Sequence, residues 1–186
     1  MAAMNTHPPT ADDFWIFAYG SLMWDPGFAY LEAQPGVVHG YHRSLCVLST
    51  VYRGTPQHPG LVLGMSRGGS CSGVAFRVAA KCIEQTRVYL DRREQVTRVY
   101  CPKFLRTTLH DGRTVSTYTF IARREHSQFV GGLSLPEQAR LVAQGVGQKG
   151  PAMDYLANTV QHMNALGITK TQLHQVLNLA KNLAAL

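Results

Sequence analysis

Residues 97–122, TRVYCPKFLRTTLHDGRTVSTYTFIA, carry the clearest structural signal in the chain. Two runs rich in β-branched and aromatic residues flank Asp111–Gly112, a pair that favours the positive φ angles of a tight turn, so the segment reads as a β-hairpin. Upstream the signal is again extended. FWIFAYG, residues 14–20, has the composition of a short buried strand that stops at Gly20. Val37–Leu48, Leu61–Met65 and Gly73–Val78 suggest further strands, punctuated by Gly36, Pro59–Gly60 and Gly68–Gly69, and together they read as an antiparallel meander.

Helical periodicity appears between these runs and after them. From Ala79 to Glu94 the period changes: Ile83, Leu90 and Glu94 fall within about 40° of one another on a helix turning about 100° per residue. Ser134 and Glu137 have capping-box spacing with Pro136 in the first turn, and the helix that starts there stops near Gly145. A second helix opens at Pro151 and closes at Gly167, where the missing β-carbon permits a left-handed cap. Thr169 and Gln172 repeat the capping spacing, and Leu173, Val176, Leu177, Ala180 and Leu183 then form one apolar stripe. Strands early and helices late predict an α+β fold rather than a doubly wound parallel sheet.

The 186 residues suit one globular domain, and 45% apolar against 16% charged residues supplies a core rather than solvated disorder. Residues 1–13, MAAMNTHPPTADD, carry Pro8 and Pro9 ahead of any apolar run and read as a flexible leader, leaving 14–186 as the single domain. That opening has neither a basic start nor an apolar centre, and no apolar run reaches the ~18 residues that would cross a bilayer, so secretion and membrane spanning are disfavoured. Cysteines 46, 71, 82 and 101 form no C-x-x-C pair and point to free thiols in a reducing cytoplasm. Eighteen Lys and Arg against eleven Asp and Glu give a net charge of +7, which attracts nucleic acid or a small polyanionic metabolite.

Most constellations that suggest chemistry fail on spacing. His39, His42 and Cys46 stand three and four apart on a strand, where residues three apart point to opposite faces, and no second ligand pair follows, so no metal is expected. Cys71, Cys82 and Cys101 read as small hydrophobes rather than nucleophiles. Ser21, in Y-G-S-L, lacks the second glycine of a G-x-S-x-G elbow. The Y-G-S-L turn keeps two readings: a plain tight turn, or successive backbone N–H groups aimed into a concavity that holds a carboxylate or an oxyanion. Glu94 also keeps two. As a solvated surface glutamate it does nothing; on the apolar stripe, in the last turn of a helix, burial and the carbonyl end favour its protonated form, while Arg92 and Arg93 oppose this.

FWIFAYGSLMWDPGF, GVVHGYHRSLCV, YRGTPQHPGLVLGM, GVAFRV and above all YLDRREQ resemble, in this order, the blocks of the ChaC family of γ-glutamylcyclotransferases, from about Phe14 to about Leu177. The resemblance implies a small mixed or antiparallel β-barrel flanked by helices. It also implies intramolecular cleavage of glutathione to 5-oxoproline and cysteinylglycine, a lyase reaction with no cofactor and no metal. By matching positions, Glu94 takes the place of the catalytic glutamate, and Phe17, Ala18, Tyr19, Gly20, Ser21 and Leu22 occupy the substrate-binding strand and loop. Arg53 and Gly54 fall in the adjacent R-G block, and Tyr118 on a strand where the family often carries a tyrosine facing the pocket. Two departures stand out: Arg98 and Val99 replace glycines usual before the next tyrosine, Tyr100, and Ala152 replaces a usual asparagine. Two alternatives remain: a cyclotransferase for other γ-glutamyl amines or dipeptides, or a basic non-catalytic module holding single-stranded nucleic acid on Tyr41, Tyr52, Tyr100, Phe104 and Tyr118.

Overall fold

The computed structural model describes residues 14–185; the expected leader at 1–13 lies outside them. Five strands, β1 (Phe14–Ala18), β2 (Glu32–Ser49), β3 (Gly60–Val78), β4 (Tyr100–Leu109) and β5 (Thr114–Ala122), close a barrel in the order β1-β3-β2-β4-β5. Neighbours are antiparallel except at the seam, where β1 and β5 run parallel through Trp15–Thr117 and Ile16–Tyr118. This is the expected mixed barrel, but the early strands are not a meander. All five residues of β1 are buried, so both its edges need partners, and it finds them in β3 and β5 rather than in β2.

Gly36 and Gly68–Gly69 do not end strands as expected. β2 and β3 run unbroken for 18 and 19 residues, and Gly36 pairs with Gly73 within the ladder. The register slips between His39 and Tyr41, where Gly40, Gly68 and Gly69 hold φ of 84°, 99° and 69°. Glycine accepts these angles without a β-carbon clash, so the long hairpin bends there instead of stopping. The hairpin around Asp111–Gly112 is present as read, with Gly112 at φ 88°.

Four helices flank the barrel: α1 (Ile83–Glu94), α2 (Leu135–Gln144), α3 (Ala152–Ala165) and α4 (Gln172–Ala184). Among the described residues no helix is long and apolar enough to cross a membrane. A single 3-10 turn, Ala80–Cys82, occupies the start of the run read as helix from Ala79. The Ser134–Glu137 capping box forms, with Glu137 Oε2 accepting from the Ser134 N–H at 2.8 Å. α4 starts from Thr171 rather than Thr169: His174 Nδ1, not Gln172, accepts the cap N–H at 3.1 Å. Leu173, Val176, Leu177 and Ala180 are buried as expected, whereas Leu183, on the last turn, is 46% exposed.

Two packing features shape one mouth of the barrel. Leu90 is fully buried, which seats α1 on the barrel and brings Glu94, one turn further on, to the same side. Elsewhere the chain approaches itself without side chains between: a β-carbon on Gly54 would lie 2.2 Å from Gly60 N, and one on Gly145 2.2 Å from Gly60 Cα. These backbone contacts draw the β2–β3 loop against the end of α2.

Candidate active site

The strand FWIFA delivers Tyr19 to the barrel mouth, and a 3-10 turn, Ser21–Met23, reverses the chain. Met23 N–H donates to Gly20 O at 2.9 Å and Asp25 N–H to Ser21 O at 2.9 Å. The N–H groups of Tyr19, Gly20, Ser21 and Leu22 donate to no acceptor among the described residues. Four successive unpaired amides form a ready cradle for a carboxylate. The turn is fixed from behind. Arg43 Nε donates to Tyr19 O at 2.6 Å and its Nη2 to Ser72 O at 2.7 Å, while the Tyr19 hydroxyl donates to Phe120 O at 2.8 Å.

Glu94 closes α1 opposite this turn, with 19% of its side chain exposed. Burial pushes its carboxyl above the ordinary glutamate value, and the charges of Arg93 and Lys149 pull the other way. Arg93, 8% exposed, is the bracket between helix and turn. Its Nε stands 3.2 Å from Glu94 Oε1, Nη1 donates to Asp25 O at 2.6 Å and to Tyr89 Oη at 2.8 Å, and Nη2 donates to Ser21 Oγ at 3.0 Å. Ser21 is thus an acceptor for a cation, not a nucleophile beside a base.

Two cavities meet at Glu94. A narrow inner chamber is lined by Tyr19, Gly20, Ser21 and Leu22 with Phe17 and Glu94. A wider outer cleft is lined by the β2–β3 loop, the segment after α1, and Lys149. Ser21, Glu94, Tyr100 and Tyr155 line both. The Tyr100 hydroxyl donates to Leu63 O at 2.6 Å, and Tyr155 Oη accepts from the Leu63 N–H at 3.3 Å. Burial pushes both phenols upward, so they stay neutral at physiological pH. The combined space, lined by Ser21, Arg93, Glu94 and Lys149, suits an elongated ligand that is anionic at its inner end.

Seven of the ten expected site residues line this space: Phe17, Tyr19, Gly20, Ser21, Leu22, Arg53 and Glu94. Ala18, Gly54 and Tyr118 do not. Ala18 is buried in β1, and Gly54 sits in the backbone contact with Gly60. Tyr118 turns to α1, donating to Asp91 Oδ1 at 3.1 Å, with burial and then Asp91 pushing its hydroxyl up to about 12. Arg53 lines the cleft, yet its guanidinium serves the backbone: Nη1 donates to the carbonyls of Lys149 and Pro151. Arg43, Tyr155 and Lys149 were not foreseen. For Tyr155 a signal existed, because it lies in GPAMDYL, residues 150–156, the stretch that holds the Ala152 departure; Arg43 and Lys149 owe their places to tertiary contacts that spacing does not encode.

Among the described residues no cluster of His, Cys, Asp and Glu has metal-binding geometry, and all four cysteines are free. The five aromatics considered for stacking form no common platform, since Tyr118 is buried and Tyr100 is tied to Leu63.

A family model described as ChaC-like protein matches residues 14–185. The chain is 35% identical over 185 residues to the glutathione-specific γ-glutamylcyclotransferase of Escherichia coli (strain K12), covering 100% of this chain and 80% of that one. It is 27% identical to the glutathione-specific γ-glutamylcyclotransferase of Schizosaccharomyces pombe, covering 92% of each chain. In structure it resembles a crystallised γ-glutamyl cyclotransferase specific to glutathione from yeast, with a TM-score of 0.84, 22% identity, and coverage of 92% of this chain and 96% of that one.

Proposed function

The chain belongs to the ChaC-like family, and from that membership and the paired cavities we propose that it cleaves glutathione to 5-oxoproline and cysteinylglycine, with Glu94 as general acid and base. Residues 14–186 act as one domain in this. The γ-glutamyl α-carboxylate sits on the amides of Tyr19, Gly20, Ser21 and Leu22, which folds the glutamyl chain back toward its own γ-carbonyl. The α-ammonium, with an ordinary pKa of about 8, attacks only after losing a proton. Glu94 carboxylate takes that proton and the freed amine bonds to the γ-carbon; as the C–N bond to cysteine breaks, the Glu94 carboxyl gives its proton to the departing nitrogen and then relays the second proton that the ring nitrogen sheds, so a neutral lactam and an ammonium leave. The proton count closes without water, metal or a covalent enzyme intermediate.

Nucleophile and electrophile belong to one molecule, so orientation alone can lower the barrier by roughly 7–11 kcal/mol. The observation that carries the reading is a buried carboxyl that lines both cavities and shares the inner one with four residues whose amides have no acceptor among the described residues. Phe17 walls the inner chamber, while Arg53 shapes the outer cleft through the backbone it holds. A reducing cytoplasm, which keeps both the substrate and the four free cysteines as thiols, is the compartment this chemistry suits. Incubation with glutathione, γ-glutamylcysteine and γ-glutamyl amines, scored by 5-oxoproline, tests the proposal. Glutathione is expected to be turned over fastest; release from none of them would overturn it, and release only from the simple amines would replace glutathione as substrate.

A further inference from the structure

Glutathione has a second carboxylate, on glycine, that the inner chamber does not reach. With the α-carboxylate on the Tyr19–Leu22 amides and the scissile amide at Glu94, the cysteinylglycine half extends into the outer cleft. Three cationic side chains line that cleft: Arg53, Arg93 and Lys149. Arg93 is committed through all three of its nitrogens and Arg53 through one. Arg93 serves Glu94, Ser21, Tyr89 and the Asp25 carbonyl. Arg53 serves the carbonyls of Lys149 and Pro151 and lies 5.7 Å over the Tyr155 ring.

Lys149 differs. Its backbone is anchored, with its N–H donating to Tyr52 O at 2.9 Å and the neighbouring Gln148 N–H donating to Val51 O at 2.9 Å. Its ammonium rests 4.8 Å from the centroid of the Tyr52 ring, a contact that favours the charge yet leaves the N–H donors unused. Among the described residues no carboxylate pairs with it. A fixed root, an aromatic rest and a free cationic head at the cleft wall make an anion receptor.

We propose that Lys149, seated on Tyr52, receives the glycyl carboxylate of the substrate and so distinguishes the tripeptide from γ-glutamyl amines that lack an acidic end. The assignment rests on the cyclotransferase reading. Lys149 acts on binding, and its effect on the preference falls on KM; its charge also lowers the Glu94 carboxyl, a contribution shared by glutathione and any uncharged analogue and so cancelling from the ratio between them.

The test compares glutathione with its glycine ethyl ester, which removes that charge alone, in the wild-type protein, Lys149→Met and Lys149→Arg. The wild type is expected to favour glutathione by about threefold to tenfold in kcat/KM, the range an exposed ammonium can contribute. Lys149→Met should lose that preference through a raised KM for glutathione, and Lys149→Arg should restore most of it. A wild type indifferent to the ester, or a Lys149→Met variant that discriminates as well as the wild type, overturns the assignment while 5-oxoproline still forms. Absence of 5-oxoproline from both compounds overturns the underlying cyclotransferase reading and the assignment with it.

Discussion

Burial raises the Glu94 carboxyl, and the Arg93 guanidinium 3.2 Å away, together with the Lys149 ammonium, restrains the rise. This balance is useful to a proton shuttle, because a carboxyl left at its ordinary value would be too weak a base for an ammonium. It also carries a stability cost with a definite sign. The folded pKa lies above the unfolded one, so the folded state holds this proton more tightly; that contribution is complete below about pH 4 and is lost as pH rises through the raised value. Glu94→Gln mimics the protonated form at every pH. The Tm of Glu94→Gln relative to wild type should therefore climb between pH 4 and pH 8, measured by thermal melts; a flat difference would mean the carboxyl is not perturbed. Arg93→Met removes the nearer cation and should move the acid limb of the kcat profile to higher pH, whereas an unmoved limb would leave Arg93 with a purely mechanical part.

The loop joining α1 to β4 stores strain at a position that the family pattern already marked. Arg98 adopts φ 59°, a left-handed conformation costing a non-glycine residue roughly 1 kcal/mol, and it is exposed, so its side chain offers little in return. Arg98→Gly should stabilise the fold by about 0.5–1 kcal/mol in urea melts; destabilisation would show that the arginine contributes contacts of its own. Elements governed by local chemistry were legible beforehand: the Asp111–Gly112 hairpin, the Ser134–Glu137 box and the Gly167 cap depend on residues a few positions apart. What escaped depends on distant partners. Gly68–Gly69 looks like a turn until β2 is laid beside it, and the place of β1 follows only from which edges the closed barrel leaves open. Thr171 took the cap from Thr169 because His174 reaches both Thr171 and Asn164, a tertiary hydrogen bond at 2.9 Å.

Viewed whole, the molecule gathers the residues of the proposed chemistry at one barrel mouth, where β1, α1 and the β2–β3 loop converge, and no cysteine lines either cavity there. Cys46 and Cys71 are buried, which pushes both thiols above their ordinary value and keeps them protonated. A variant with Cys46→Ala, Cys71→Ala, Cys82→Ser and Cys101→Ser should keep kcat within about threefold while losing roughly 2 kcal/mol of stability from two emptied core positions. Loss of turnover in a folded form of that variant would favour covalent chemistry. The candidate site was partly readable for a related reason. Glu94 and the Y-G-S-L turn are local features, so type and spacing marked them as candidates with two readings each, and the family resemblance supplied their pairing and expected roles. Arg43 and Lys149 reach the site across 24 and 97 residues, from Tyr19 to Arg43 and from Tyr52 to Lys149, and a linear reading has no handle on either.

The most direct measurement is the rate of 5-oxoproline formation from saturating glutathione by Glu94→Gln, with folding and glutathione binding verified on the same preparation. Removal of a general acid and base predicts a loss of about two to four decades in kcat with binding retained. A folded, glutathione-binding Glu94→Gln protein that turns over at the wild-type rate would contradict the account.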